Sequence, residues 1–410
     1  MIRPLHSLGL LPILLFMSAG AARAAPEDDY VALMTAIEID KACVALKYME
    51  SSTARGIALM YLERTPQFAQ SRDGRLSFEE YDAWRLSLDD KARAGAAAVG
   101  CTQQAMSYVL TAKAAASDEL YRGLALAFHF DALPWEDFSR VELDDHQKKS
   151  ATGYEAYLAQ LYGQNFQAFA ERQKQAAAEM LPPDSFGLTT WNWTADPEED
   201  SAKLWTAQSI AAGAMEQVQF EVTAEANGYF VRPYDFASGM TAPALQRPDM
   251  DRALPIIDGP KYRLMDHGEG LIRLHSVAAM LPDRRLSLFF FGETAATKMA
   301  DATVRLYVRQ PPYPEGVDGY TIFDLQDFRD DALVFDGIKS VGACLGAPCY
   351  EFPVEATDAL LANPVGDYAE LFVSLSSDAQ PEPIGPSTLG RERFDNQWML
   401  WWADSIGAQR

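Results

Sequence analysis

The sequence predicts an α+β protein, with a helical bundle in its first half and a β-rich part in its second. Three observations carry this. Apolar residues recur at helical spacing from about residue 28 to 180. They alternate with period two at several places after Pro183. No long helical pattern alternates with those strands, which disfavours a doubly wound parallel sheet. The expected division is a leader at 1–24, a helical domain at 25–183 and a β-rich domain at 184–410. The sheet is expected to be antiparallel, either a single sheet or a sandwich.

The chain opens as an export leader. Arg3 supplies a positive start, and Leu8 to Met17 form an apolar run interrupted only by Gly9 and Pro12. Ala22-Arg23-Ala24 places small residues where a signal peptidase needs them, so cleavage is expected before Ala25. The apolar run is shorter than the roughly 18–20 residues that span a bilayer. No Cys follows the cleavage point to take a lipid, and no second long apolar stretch follows. The expected location is therefore periplasmic or secreted, with no membrane span after cleavage.

The first helix carries Tyr30, Leu33, Met34 and Ile37, and a second carries Ile57, Met60 and Tyr61, with Ser51 as its expected cap. Ser77 and Glu80 form a capping box that starts a helix with Tyr81, Trp84 and Leu88 on one stripe. Met106, Val109 and Leu110 mark another helix. The clearest runs from Thr152 to Met180, where Tyr154, Tyr157, Leu158, Leu161, Tyr162, Phe166 and Phe169 share a face. Leu181-Pro182-Pro183 ends it. Stripes of this kind bury themselves against one another as a bundle.

Beyond Pro183, Val218, Phe220 and Val222 alternate with Gln and Glu and read as a strand. Leu286, Leu288 and Phe290 read likewise, as do Val304, Leu306 and Val308. Residues 271–279, Tyr320 to Leu325 and Glu370 to Ser374 add candidates. Residues 377–391 read as a Pro-, Gly- and Ser-rich loop, and Phe394 to Ile406 as an apolar segment docked on the core.

Composition narrows the function classes. The 35 Lys and Arg against 58 Asp and Glu give a formal charge of −23, and losing Arg3 and Arg23 with the leader brings the mature chain to −25. Such a charge repels phosphates, so nucleic acid and anionic membrane surfaces are disfavoured as partners. Four Cys in an exported chain favour disulfides, and Cys43–Cys101 with Cys344–Cys349 is the expected pairing. Four residues separate Cys344 from Cys349, not the two usual in a redox pair, and no His lies nearby to complete a zinc site.

Four leads could carry chemistry. Asp73 to Glu80 resembles the second half of an EF-hand calcium loop, with Asp73, Ser77 and Glu80 at ligand positions and Ser71 before them. Ala69 stands where the first carboxylate belongs, and a capped helical turn explains the same residues. Asp266, His267 and Glu269, with His275 nearby, could form a metal or acid–base site, and also have a good turn composition. Asp324, Asp327, Asp330, Asp331 and Asp336 could hold calcium or simply be a solvated acidic loop. Trp191 and Trp193, and Trp398, Trp401 and Trp402, could stack on sugars or meet a partner, though burial is usual for Trp. Asn192-Trp193-Thr194 matches a glycosylation triplet. His129, between two Phe, reads as a packed core residue, and His146 as part of a solvated loop or helix end.

No Gly-x-Ser-x-Gly, His-Glu-x-x-His or Ser-x-x-Lys signature and no phosphate-binding loop occurs. The sequence therefore leads to an exported, non-enzymatic protein that binds a protein or small molecule in the cell envelope. The rival is a periplasmic hydrolase or metal-dependent enzyme around Asp266, His267, Glu269 and His275. No particular cofactor is implied.

Overall fold

In the computed structural model, helices lead and antiparallel strands follow. The structure describes residues 25–134, 137, 139–181, 197–226, 228–235, 241–247, 253–266, 270–281, 283–291, 303–309, 332–340, 349–362, 368–374 and 389–395. The leader, Cys344, Tyr320 to Leu325, Asp324 to Asp331 and the paired Trp clusters lie outside the described residues.

Eight helices come first: α1 (Pro26–Cys43), α2 (Tyr48–Glu63), α3 (Pro66–Arg72), α4 (Phe78–Val99), α5 (Gln103–Asp131), α6 (Asp145–Tyr162), α7 (Phe166–Glu179) and α8 (Pro197–Ala226). Their ends follow local chemistry. Pro26 and Pro66 stand in the first turns of α1 and α3, where their missing N–H costs nothing. Ser77 accepts from the Glu80 N–H while Glu80 accepts from the Ser77 N–H, the expected box. Asp144 and Gln147 form a second such box at α6. The helix expected from Thr152 to Met180 is two helices. Gly163, at φ 53°, ends α6, and one 3₁₀ turn over Gly163–Asn165 re-aims the chain into α7.

Two apolar clusters organise these helices. The first joins α1, α2, α4 and the start of α5 through Leu33, Ile37, Ala54, Ala58, Leu88, Ala92 and Val109. The second joins the rest of α5 to α6, α7 and α8 through Leu124, Phe130, Tyr154, Leu158, Phe169, Met215 and Val218. With 29 residues, α5 runs through both. At Gly123 it meets α8 so closely that a Cβ would stand 2.3 Å from the Ala214 Cβ.

The alternation at Val218, Phe220 and Val222 is not a strand. It lies inside α8, whose Ala207, Ala211, Ala214, Met215 and Val218 are buried at helical spacing. The helical core therefore takes in residues on both sides of Pro183. The short window fits either period, and the longer stripe decides it.

The strands are β1 (Phe230–Asp235), β2 (Thr241–Gln246), β3 (Leu254–Asp266), β4 (Gly270–Met280), β5 (Leu286–Phe291), β6 (Thr303–Arg309), β7 (Ala332–Asp336), β8 (Ile338–Ser340), β9 (Cys349–Glu351), β10 (Tyr368–Ser374) and β11 (Leu389–Asp395). Among the described residues one helix, α9 (Val354–Ala362), interrupts them. Seven strands pair in the order β1-β2-β3-β4-β5-β9-β8 and four in the order β11-β10-β6-β7, with every pairing antiparallel. Val304, Leu306 and Val308 are buried as their alternation predicts. On β5 both faces are buried, Ser287 and Phe289 included. The expected loop at 377–391 gives way to β11 from Leu389 onward.

Cys43, the last residue of α1, is bonded to Cys101, just before α5, with Cα atoms 5.5 Å apart. Cys349 is buried and disulfide-bonded. Two predictions follow from packing and cross-linking. Gly123→Ala should lower stability by about 1–3 kcal/mol through overpacking against α8, read as a lower midpoint in urea unfolding. Replacing Cys43 and Cys101 together by Ser opens a loop of 58 residues and should cost about 2–4 kcal/mol in the same measurement.

Candidate functional site

Among the described residues, a group of buried ionisable side chains surrounds the turn from α1 into α2. The first N–H groups of a helix have no partner within it, and leaving them buried and unbonded is costly. Here carboxylates from three helices take them up. Asp40 of α1 accepts from the Ala45 and Leu46 N–H groups at 2.7 and 2.6 Å. Glu50 of α2 accepts from the Lys47 N–H at 2.9 Å. Glu221 of α8 accepts from the Tyr48 and Met49 N–H groups at 3.1 and 2.7 Å. Five consecutive backbone N–H groups are thus held by acids that are all at least 96% buried.

This explains why α2 starts at Tyr48 and not after Ser51. Ser51 is buried in the first turn, and the cap comes from residues elsewhere in the chain. The turn also needs Val44 at φ 54°, a left-handed conformation uncommon for a β-branched residue. The Cys43 disulfide before it and the Asp40 hydrogen bonds after it hold that conformation in place.

Cations and hydroxyls complete the group. Tyr157 of α6 donates to Glu50 at 2.5 Å, and the Lys113 ammonium of α5 lies 3.4 Å from the same carboxylate. Lys47 pairs with Glu225 of α8, and its ammonium sits 4.8 Å from the Tyr157 ring centre. Thr53 donates to Gln217 at 2.9 Å. Burial pushes Glu221 up to about 7, against the pull of its two backbone hydrogen bonds and of Lys47. Burial also raises Asp40 and lowers the Arg232 guanidinium of β1, which feels both Asp40 and Glu221.

The arrangement joins elements, and its oxygens are committed to backbone and ion pairs. Asp40, Glu50 and Glu221 carry no motif, and local reading misses them. The available signal is the helical stripe of α8: spacing of three or four from Ala211 through Ala214 and Val218 places Glu221 on the buried face.

The expected site residues are distributed differently. Asp73 follows α3 and accepts from Arg75 at 2.7 Å, while Glu80 caps α4 through Ser77. Those hydrogen bonds hold the Glu80 carboxyl below its ordinary value. Asp266 ends β3 and is paired with Gly270, while His267 and Glu269 lie outside the described residues. His275 lies within β4, opposite Lys261 and Phe291. Lys261 precedes Asp266 by five positions on β3, about 17 Å along the strand. Asp336 ends β7 and accepts from Arg305 at 2.7 Å. His129 is half-buried beside Phe130, and burial lowers its pKa. His146 lies at a helix end, as one of its two readings has it, in the first turn of α6, and its ring is 2.9 Å from the Thr223 hydroxyl of α8.

Among the described residues, no group of three His, Cys, Asp or Glu is placed to hold a metal ion, and no helix is long and apolar enough to cross a membrane. Compared with known proteins, the chain matches no family model, no curated protein and no solved structure.

Removing the Tyr157 hydroxyl takes a donor from a fully buried carboxylate. Tyr157→Phe should therefore lower stability by about 1.5–3 kcal/mol, with a lower urea midpoint and an unchanged slope.

Proposed function

We propose that the mature chain is an exported, non-enzymatic binding protein of the cell envelope. The Cys43–Cys101 disulfide carries this reading, because such bonds persist in oxidising compartments. The leader pattern ending in Ala22-Arg23-Ala24 points the same way. Binding is favoured over turnover because the most deeply buried acids among the described residues, Asp40, Glu50 and Glu221, are committed to holding backbone N–H groups. A partner would find apolar surface at Phe78 and Ile338, which are 75% and 71% exposed, and at Trp205. The high negative charge favours a partner with a cationic surface.

Native mass spectrometry of the full chain expressed and exported in a bacterium tests this. The expected species begins at Ala25 and has four hydrogens fewer than the reduced mature chain, with no ion attached. Protein retained in the cytoplasm with residues 1–24 still attached would overturn the export reading. A stoichiometric metal ion would overturn the non-enzymatic reading in favour of a metal-dependent site, and Asp266, His267, Glu269 and His275 would be substituted first.

A further inference from the structure

Among the described residues the two sheets have four edge strands, β1, β8, β11 and β7. Two of them are covered: β1 packs against α8 and α2, and β11 packs against β3. The other two, β7 and β8, are consecutive in the chain and are parted only by Gly337. A Cβ at position 337 would stand 3.1 Å from the Val304 carbonyl of β6 and 3.1 Å from the Tyr350 Cβ of β9. Glycine there lets one extended segment, 332–340, border both sheets.

The register shows which backbone groups this edge leaves over. Gly337 donates to the Val304 carbonyl at 2.8 Å, in step with the pairing of Asp336 and Arg305. Bonded and non-bonded pairs alternate along an antiparallel ladder. Leu333 and Phe335 therefore turn their N–H and C=O groups toward β6, while Val334 and Asp336 turn theirs outward. The side chains are open as well: Leu333 is 43% exposed, Val334 47% and Ile338 71%. Leu333 and Phe335 lie opposite the buried Val308 and Leu306, and so carry the apolar face of β6 out to the rim. Val334 and Asp336 lie on the other face. The Asp336 side chain is 70% exposed; Arg305 donates to its Oδ1, and its Oδ2 has no bond among the described residues. The segment contains no proline, a residue that often guards such edges.

We propose that the edge formed by β7 and β8 is a docking surface for an extended, cationic segment of a partner protein, which adds as a further strand beside β7. The proposal rests on the reading of this chain as a binding protein and names the class of its partner. The outward groups of Val334 and Asp336 recur at every second residue, the spacing at which a neighbouring strand presents its own. Apolar side chains of the incoming strand extend the row of Leu333 and Phe335, and a Lys or Arg on its opposite face meets Asp336. Charge favours a cationic partner over a second copy. Each chain carries a formal charge of −23, and two-fold pairing centred on residue 336 would set Asp336 against Asp336.

The probe is a blocked peptide of about ten residues, the upper length of a common strand, with valine and lysine in alternation. It sets valines beside Leu333 and Phe335 and lysines beside Asp336. Fluorescence anisotropy follows its binding to the full mature chain with disulfides intact, and residue-resolved hydrogen exchange reads the amides. The peptide should bind, more weakly as salt rises, and should protect the Val334 and Asp336 amides. Val334→Pro removes one outward donor but no bond to β6 and leaves the charge unchanged. It should keep the urea midpoint and weaken binding about tenfold. Asp336→Asn should weaken binding about threefold. Should Val334→Pro not fold, the same peptide N-methylated throughout decides, because it keeps its charge without amide donors; it should not bind the unsubstituted protein. Undiminished binding by Val334→Pro or by the N-methylated peptide would overturn the docking edge, as would no binding or unprotected amides in the complex. Val334 and Asp336 amides already protected in the free monomer would mean that the chain fills its own edge. A dimer that Val334→Pro dissociates would make the occupant a second copy. Either result overturns the proposal. None of these outcomes bears on export or metal content, which the native mass decides separately for the reading beneath it.

Discussion

A buried helix start has to find partners for its backbone N–H groups, and the rest of the helical part is arranged around that requirement. The turn from α1 into α2 lies between two apolar clusters, with Leu46 in one and Met49 in the other. Asp40, Glu50 and Glu221 take up the amides of residues 45–49, from three different helices. Each of these acids would be costly to bury alone. Together with Lys47, Lys113, Arg232 and Tyr157 they form a group in which almost every charge meets an opposite charge or a donor. The positions of α8 and β1 relative to α2 therefore depend on electrostatics as well as on apolar contact.

Around this junction the structure relies on length and close approach. The 29-residue α5 belongs to both apolar clusters, so neither is independent of the other. Its crossing with α8 is close enough to require glycine at position 123. The Cys43–Cys101 bond ties the end of α1 to the start of α5 and holds Val44 in its unusual conformation. The sheets rest on different physics, with Phe289, Phe290, Tyr350 and Phe352 buried where β5 and β9 pair.

Local chemistry made several elements legible. Ser77 and Glu80 announce α4, because a capping box needs only residues three apart. Period-two alternation marks β6, because one face of that strand is buried. The same rule failed at residues 218–222. Five residues cannot distinguish a strand from a helix whose neighbours on both sides are also apolar. The start of α2 was misplaced for a related reason: its cap, Glu221, lies more than 170 positions away. The candidate site was missed altogether, since acids within apolar helices form no motif. Asp73 and Glu80, which do resemble one, are committed to an ion pair and a helix cap.

The amino-acid sequence alone determined the α+β class, the order of helices before strands, the acidity of the chain and the pairing of Cys43 with Cys101. These depend on composition and on periodicity within one element, which short-range sterics and hydrophobicity settle. The tertiary structure decided which acids are buried together, where α2 begins, and that residues 197–226 complete the helical core. Those outcomes turn on which groups lose their water at once, and that depends on how distant segments meet.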